Sequence, residues 1–501
     1  MHYRTAKTAS IYNPAAARRR ALAGQMFSMP SLVLLDGLAV TISFFLAFYF
    51  RDFFLRGLFP SLFPEELLAG TFENIWWFPL VLIFSLFYEE LYQKRLPFWI
   101  EVEHILKATT LAIAFTVVIL FMSKTAFEVS RTLIATIWFM LVITLPLFRY
   151  YGKQLLAAAG IWNRPVLIIG AGKTACLITD AFHREKSLGY KAIGFLNDRG
   201  ENAETVNSSS ACHIPILGDI TEAESIIKKT GVQDIFVAMP ALPPQKTVKL
   251  VNRLQPLVNN VVLIPDLFGL SMSGIEAKHF FEEQVLMLNI KNRLKPFFNR
   301  AVKRTFDLVL GSIFLLISTP LMLLIALVIK LESRGSVFYN SKRIGQQGKT
   351  FRCHKFRSMY THADEILAEY LASSSQAQQE WEQYRKLKSA DPRLTKAGKF
   401  LRRFSLDELP QLINVVIGEM SLVGPRPYLP DEKELMGDWY DDITVAKPGL
   451  TGLWQVSGRN LIGFEGRMKL GAWYVKNWSL WLDIVIMLRT LRVVLKGEGA
   501  Y

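Results

Sequence analysis

The sequence predicts an α+β membrane protein: four N-terminal transmembrane helices, a Rossmann-like α/β middle domain, and a C-terminal domain that carries the candidate chemistry and a re-entrant membrane helix. Three observations predict it. Four long apolar runs crowd the N-terminal part of the chain. A strand, a glycine turn and a helical pattern open the middle part. Two adjacent carboxylates, Asp407 and Glu408, follow a basic stretch in the last part. The chain has 501 residues, room for two or three domains, and 51% of them are hydrophobic. Its mean hydropathy is +0.23, high for a soluble protein.

The expected domains are an N-terminal cytoplasmic segment (1–30), a transmembrane domain (31–153), the α/β domain (160–285) and the C-terminal domain (296–501). The apolar runs are Ser31–Phe50, Ile75–Tyr92, Ile105–Met122 and Thr132–Phe148, each near the roughly 20 residues of a spanning helix. Trp76, Trp77, Tyr92 and Tyr150 stand near their ends, where aromatics meet headgroups. A cleavable leader is not expected, because residues before Pro30 are polar and basic. Cations gather at Arg18–Arg20, at Lys94, Arg95 and Lys107, and at Arg149 and Lys153. The loop with Glu65, Glu66 and Glu73 carries less positive charge. The positive-inside rule then places the N-terminus, the second loop and everything after Lys153 in the cytoplasm.

The α/β domain rests on alternation. Strands are expected at Pro165–Ile169, Ala192–Leu196, Ile214–Leu217, Asp234–Ala238 and Val261–Ile264. The turn GAGKTA (170–175) follows the first, and Asp198 stands where a dinucleotide fold holds its ribose carboxylate. Small residues also serve close strand–helix packing, so the turn is read as structural or as a nucleotide site.

A fifth apolar segment, Phe306–Lys330, is interrupted by Pro320 and flanked on both sides by cations. Both flanks belong inside, and proline favours a bend, so a re-entrant helix over about 306–330 is expected.

The net charge of +15 points to an anionic partner. No nucleic-acid module is visible, so membrane surface and phosphorylated substrates are the candidates. The three cysteines lack CxxC spacing and the histidines form no HxxxH pair. Any metal therefore sits on carboxylates and phosphate oxygens, as magnesium does. In 351–359, alternation sets Lys355 and Arg357 on one strand face, able to hold a diphosphate. Residues 396–403 read as a basic amphipathic helix ending in Arg402 and Arg403. Ser405 and Glu408 then have capping-box spacing. The box accounts for neither Asp407 nor the cations before it. An ionised Asp407 can attack phosphorus, and Glu408 can hold magnesium against phosphates. Pro425 and Pro427 stiffen the backbone around Arg426, and Ser457-Gly-Arg459 adds a cation.

KFRSM (355–359), SLDELPQLINVVIGEMSLVGPRP (405–427) and KPGLTGLWQVSGR (447–459) together resemble the signature blocks of the monotopic phosphoglycosyl transferases, also called bacterial sugar transferases. With its four spans and α/β domain the chain resembles the large subgroup, in particular the members that act on galactose. The resemblance implies transfer of a hexose-1-phosphate, galactose-1-phosphate foremost and glucose-1-phosphate as the rival, from a UDP-hexose to undecaprenyl phosphate with release of UMP. It implies Asp407 as nucleophile, Glu408 as the Mg2+ ligand and Arg426 in the nucleotide pocket. Lys355, Arg357, Arg402, Arg403, Pro425, Pro427 and Arg459 complete the expected substrate site. It places the protein in the bacterial inner membrane, with the C-terminal domain on the cytoplasmic face. A homodimer through the α/β domain is expected. Thr319-Pro320 replaces the family's Ser-Pro break.

Trp473, Tyr474, Trp478 and Trp481 suit an interfacial helix. A rival reading, an NAD-dependent sugar-modifying enzyme, needs a Tyr-x-x-x-Lys pair that 160–285 lacks.

Overall fold

The computed structural model describes residues 14–61, 74–125, 129–197, 214–266, 276–279, 286–290, 293–374, 391–458 and 462–496, with a few isolated positions between them. Two compact units divide between Asp266 and Leu267.

The first unit opens with helix α1, Pro14–Tyr49, which runs on as a π-helical turn, Phe50–Leu55. α2 covers Phe78–Tyr88, α3 Phe98–Met122 and α4 Arg131–Ala158. Three of these four apolar helices are long enough to cross a membrane. α2 has 11 residues, roughly 16 Å of helix. It is short because Pro79 fits only its first turn and Glu90, at φ +57°, ends the helical backbone. The bundle packs through Leu32, Leu82, Leu86, Ile105, Ala112, Leu141 and Leu145.

Arg149 and Lys153, expected as solvent-facing flank charges, are only 1% exposed. Arg149 donates to Asp36 at 2.6 and 2.9 Å and to Glu101 at 3.1 Å, and Lys153 donates to Glu101 at 2.6 Å. Tyr92 completes the cluster with a 2.7 Å bond to Asp36. Two cations against two carboxylates leave no excess positive charge, so the orientation argument rests on the remaining basic residues. Removing one member strands its partner. Arg149→Leu should cost about 3–5 kcal/mol and show as early loss of helicity on heating in detergent. An unchanged unfolding temperature would refute the structural weight of the cluster.

The α/β domain matches the expected strands. β1 (Arg164–Ile169), β2 (Tyr190–Asn197), β3 (Ile216–Asp219), β4 (Asp234–Val237) and β5 (Asn260–Leu263) form one parallel sheet in the order 3-2-1-4-5. This is the order of a doubly wound fold. Its crossovers carry α5 (Lys173–Arg184), α6 (Ala223–Thr230) and α7 (Pro244–Leu254). In the GAGKTA turn, Gly170 has φ +101°, and a Cβ there would sit 2.7 Å from the Ala238 carbonyl. Ala175 is fully buried. Close packing therefore accounts for both positions. Asp198 lies outside the described residues.

In the second unit β6 (Glu276–His279) and β7 (Leu286–Asn289) pair antiparallel. Helix α8, Phe297–Glu332, is assigned without a break through Pro320. The hydroxyl of Thr319 bonds the Leu315 carbonyl at 2.7 Å, beside the carbonyl of Leu316 whose i+4 donor proline removes. Its first turns pack on the domain core: a Cβ at Gly311 would stand 3.0 Å from Val415. Its later turns bury Ile325 and Ile329 against Phe356 and Leu401. Between these contacts Leu316 and Ile317 are more than 70% exposed.

The hairpin β8 (Phe338–Ile344) and β9 (Thr350–Phe356) is followed by α9 (Ala363–Ser373), α10 (Lys396–Arg403), α11 (Gln411–Ile417) and the parallel pair β10 (Ser421–Val423) and β11 (Gly449–Thr451). Helices α12 (Phe464–Lys476) and α13 (Leu480–Lys496) close the unit. Buried Asn414 ties α11 to β9, accepting from the His354 amide at 3.0 Å and donating to the Arg352 carbonyl at 2.8 Å. The Arg304 guanidinium covers the end of α11, donating to Val415 and Val416 carbonyls at 2.7 Å each.

Two of the aromatics expected at the membrane interface are in this core instead. Tyr474 is 1% and Trp478 3% exposed. Both donate to Asp483, at 2.6 and 3.0 Å, because a buried carboxylate needs donors. Trp473 is exposed and Trp481 half-buried.

Candidate active site

Asp407 and Glu408 lie in a 3-10 turn, Leu406–Glu408, and α11 starts only after Pro410. Ser405 adopts a left-handed backbone, φ +57°, and makes no side-chain cap bond. The capping box expected from the Ser405–Glu408 spacing is therefore not formed: an N-cap residue needs extended backbone, which this tight turn denies to Ser405. The Glu408 carboxylate instead accepts from Lys355 at 2.6 Å.

Asp407 is 9% exposed. Burial pushes its carboxyl up to about 6, with the neighbouring Glu408 charge adding to the rise and Lys355 and Arg402 opposing it. Lys355 shows the mirror effect. Burial would lower its ammonium, but Glu408 and Asp407 outweigh that and hold it above the usual lysine range. Arg402 is aimed from α10 by its Nε bond to the Ser358 hydroxyl at 2.9 Å. The result is a buried, contested carboxylate with one lysine and one arginine in its field.

The other expected residues separate. Arg357 is engaged by backbone carbonyls. It lies beyond the end of β9 and donates to Arg334 and Ser333 carbonyls at 2.9 and 2.8 Å, clamping the end of α8. Arg403 is exposed and lies over the Phe404 ring at 5.7 Å. Pro425 is buried and Pro427 half-buried, framing Arg426. Arg426 stands 3.7 Å from Glu432 and within 6 Å of the Tyr428 and Trp454 rings. Arg459 lies outside the described residues.

Two cations here were not among the expected substrate residues. Arg467 approaches the Trp454 ring at 5.5 Å, and burial together with Arg426 lowers its guanidinium. Arg343 donates to the Pro427 carbonyl at 3.2 Å. It pairs with Phe351, four residues from Lys355, so the two cations share one hairpin face about 13 Å apart. Alternation could have found Arg343; Arg467 had no sequence signal.

A family model described as "Bacterial sugar transferase" matches residues 298–497, and one described as "CoA-binding domain" matches 89–265. An "Uncharacterized sugar transferase" of Haemophilus influenzae is 37% identical over 95% of this chain and 99% of its own length. The "Undecaprenyl-phosphate galactose phosphotransferase" of Salmonella typhimurium is 38% identical over 82% of this chain and 84% of its own length. This chain belongs to the bacterial sugar transferases. Within that family it is also 30% identical to the "UDP-glucose:undecaprenyl-phosphate glucose-1-phosphate transferase" of Escherichia coli, over 70% of each chain.

For a sugar transferase, a metal needs donors beside the substrate phosphates. Among the described residues no cluster of three or more His, Cys, Asp and Glu side chains is present. A carboxylate pair suits magnesium, which takes one or two protein carboxylates and completes its shell with water and phosphate oxygens. Glu408 offers one such carboxylate, here accepting from Lys355.

Proposed function

We propose that this transferase moves a hexose-1-phosphate from a UDP-hexose to undecaprenyl phosphate, releasing UMP and initiating a surface polysaccharide. Galactose-1-phosphate is the favoured group. The relative named for galactose is more similar and is covered further than the one named for glucose. The observation that carries the mechanism is Asp407, buried within the field of Lys355 and Arg402.

In the first step an Asp407 oxygen attacks the β-phosphorus of the donor. The bond from that phosphorus to the bridging oxygen breaks, and UMP leaves with the electron pair. Asp407 then carries the hexose-1-phosphate as an acyl phosphate. In the second step an oxygen of undecaprenyl phosphate attacks the same phosphorus and frees the carboxylate. Lys355 and Arg402 offset the repulsion between Asp407 and the diphosphate. Magnesium, held by Glu408, would neutralise phosphate charge. Glu408→Gln keeps the shape but halves the charge on the pair, so it should lower kcat about 100-fold and raise the magnesium requirement, read by UMP release against magnesium concentration. A fully active variant with unchanged magnesium dependence would remove Glu408 from this role.

The acceptor sits at headgroup depth, and α8 supports a site there. Gly311 and Ile329 both touch the same α/β-rich unit, while Leu316 and Ile317 between them are exposed. A straight span would carry one of those contacts to the far side of the membrane. The proposed path enters and leaves through the cytoplasmic leaflet, which requires the helix, continuous through Pro320, to bend there. The deciding assay is UMP release from UDP-galactose and UDP-glucose with undecaprenyl phosphate and magnesium. No UMP from either donor would reject the reaction; faster release from UDP-glucose would reassign the sugar.

A further inference from the structure

Helix α11 carries two buried carboxamides three residues apart, and only one of them is used. Asn414 has no exposed surface and its side chain is fully engaged. It accepts from the His354 amide at 3.0 Å and donates to the Arg352 carbonyl at 2.8 Å and to Glu419 at 2.6 Å. Gln411 is 2% exposed, and its carboxamide forms no hydrogen bond among the described residues. A carboxamide has two N–H donors and an acceptor oxygen. Burying one unpaired is costly, and folded proteins leave few such groups, so this one calls for a cause.

Its position supplies one. The backbone keeps right-handed helical turns from Leu406 into α11. Leu409 and Pro410 are both helical, and Glu408, Leu409, Leu412 and Ile413 donate to carbonyls three residues back, at 3.2, 3.3, 3.0 and 3.0 Å. In such turns residues three apart eclipse, and residues four apart are neighbours once the winding relaxes to an α-helix. Gln411 follows Glu408 by three and Asp407 by four, so it belongs to the sector between them. Long helical side chains lean back over the preceding turn, which here is the turn of the two carboxylates. Neither carboxylate takes up the amide: Glu408 accepts from Lys355, and Asp407 is left to the field of Glu408, Lys355 and Arg402. The rest of α11 is committed elsewhere. Asn414 ties it to β9, and Val415 meets Gly311 of α8.

We propose that Gln411 is a catalytic donor, one of its N–H groups bonding a non-bridging oxygen of the phosphoryl group that passes through Asp407. This rests on Asp407 as the nucleophile. The amide keeps its proton in both steps: it stabilises charge and transfers nothing. Lys355 bonds Glu408 and Arg402 bonds Ser358, so each cation is shared with a protein group. The Gln411 amide is shared with none, and a donor already held in place by burial needs no reorganisation when the phosphoryl group arrives.

The test is Gln411→Met, which keeps the length of the side chain and deletes its donors and its acceptor. Single-turnover UMP release is followed with magnesium and whichever of UDP-galactose and UDP-glucose the wild-type protein uses faster, without undecaprenyl phosphate. Amplitude per chain is read separately from rate. The rate should fall about 100-fold at wild-type amplitude, with KM for the donor changed by less than about threefold. The unfolding temperature should equal or exceed that of the wild type, because a thioether needs no partner. Gln411→Glu keeps an oxygen but loses the N–H, and should be slowed at least as much. A wild-type rate in Gln411→Met overturns the proposal. Reduced amplitude at wild-type rate with earlier unfolding also overturns it, making Gln411 a packing residue. So does a wild-type first turnover followed by slow turnover once undecaprenyl phosphate is added, which would give the amide to the acceptor. No UMP from the wild-type protein with either donor would reject the reaction itself, and this role with it.

Discussion

Asp407→Asn should abolish turnover, by about 10,000-fold or more, while leaving the protein folded and more stable. The loss follows from the proposed mechanism: a carboxamide does not attack phosphorus, so neither UMP nor a phosphosugar-linked protein forms. The gain follows from burial. Asp407 has its carboxyl raised to about 6, above the ordinary value of 3.8, chiefly by desolvation and then by Glu408. Folding therefore favours the protonated form. That contribution is fully present below about pH 4 and is lost as pH rises through about 6, where the carboxylate must ionise inside the protein. At pH 7 the ionised group costs on the order of 2 kcal/mol without substrate or magnesium. Asparagine removes that cost. Unfolding temperatures of the two proteins should converge near pH 4 and separate above pH 6, with the variant higher. The same titration gives wild-type activity an acid limb near pH 6, because only the ionised form attacks. A phosphosugar adduct on the variant would exclude Asp407 as nucleophile. Equal stability at every pH would refute the strain assigned to its burial.

The strands of the α/β domain were legible because each is a short β-branched run bounded by turn residues, as in Val166–Ile169 and Asp234–Val237. The Asp407 and Glu408 pair was legible from charge and from family resemblance. Its surroundings were less so. Ser405 has the composition of a cap, and only its left-handed backbone shows that it is not one. Arg357 alternates with Lys355 in sequence, but β9 ends at Phe356 and the arginine turns to the α8 terminus. Period-two reasoning holds only while the ladder lasts. Arg149 and Lys153 read as flank charges because their partners, Asp36 and Glu101, are far away in sequence. Tyr474 and Trp478 failed for a different reason: an aromatic with a polar tip suits an interface or a buried acceptor equally, and Asp483, only nine and five residues on, supplies the acceptor.

That acceptor carries the second large effect. Asp483 has no exposed surface and takes donors from three places: Lys303 of α8 at 2.7 Å, Tyr474 of α12 at 2.6 Å and Trp478 at 3.0 Å. Burial raises its carboxyl, and Lys303 and the two aromatic donors pull it back. Lys303 and Tyr474 also reach the Val423 carbonyl of β10, at 3.1 and 2.9 Å. One carboxylate thus joins the root of α8 to the strand before Pro425-Arg426-Pro427. Asp483→Leu leaves the buried Lys303 ammonium with only the more distant Asp307, at 4.0 Å, as counter-charge and should cost about 3–5 kcal/mol, a large share of the roughly 5–15 kcal/mol that holds a domain together. The variant should reach the membrane in low yield and unfold early. The pair Lys303→Met with Asp483→Leu removes both charges and should recover much of the loss, since apolar residues of similar volume replace buried ion pairs without large penalty. Recovery of stability without activity is the expected pattern, because Lys303 also holds the Val423 carbonyl of the strand before Arg426. A double variant no more stable than Asp483→Leu alone would mean that the donors from Tyr474 and Trp478, not the Lys303 charge, carry the energy of this junction.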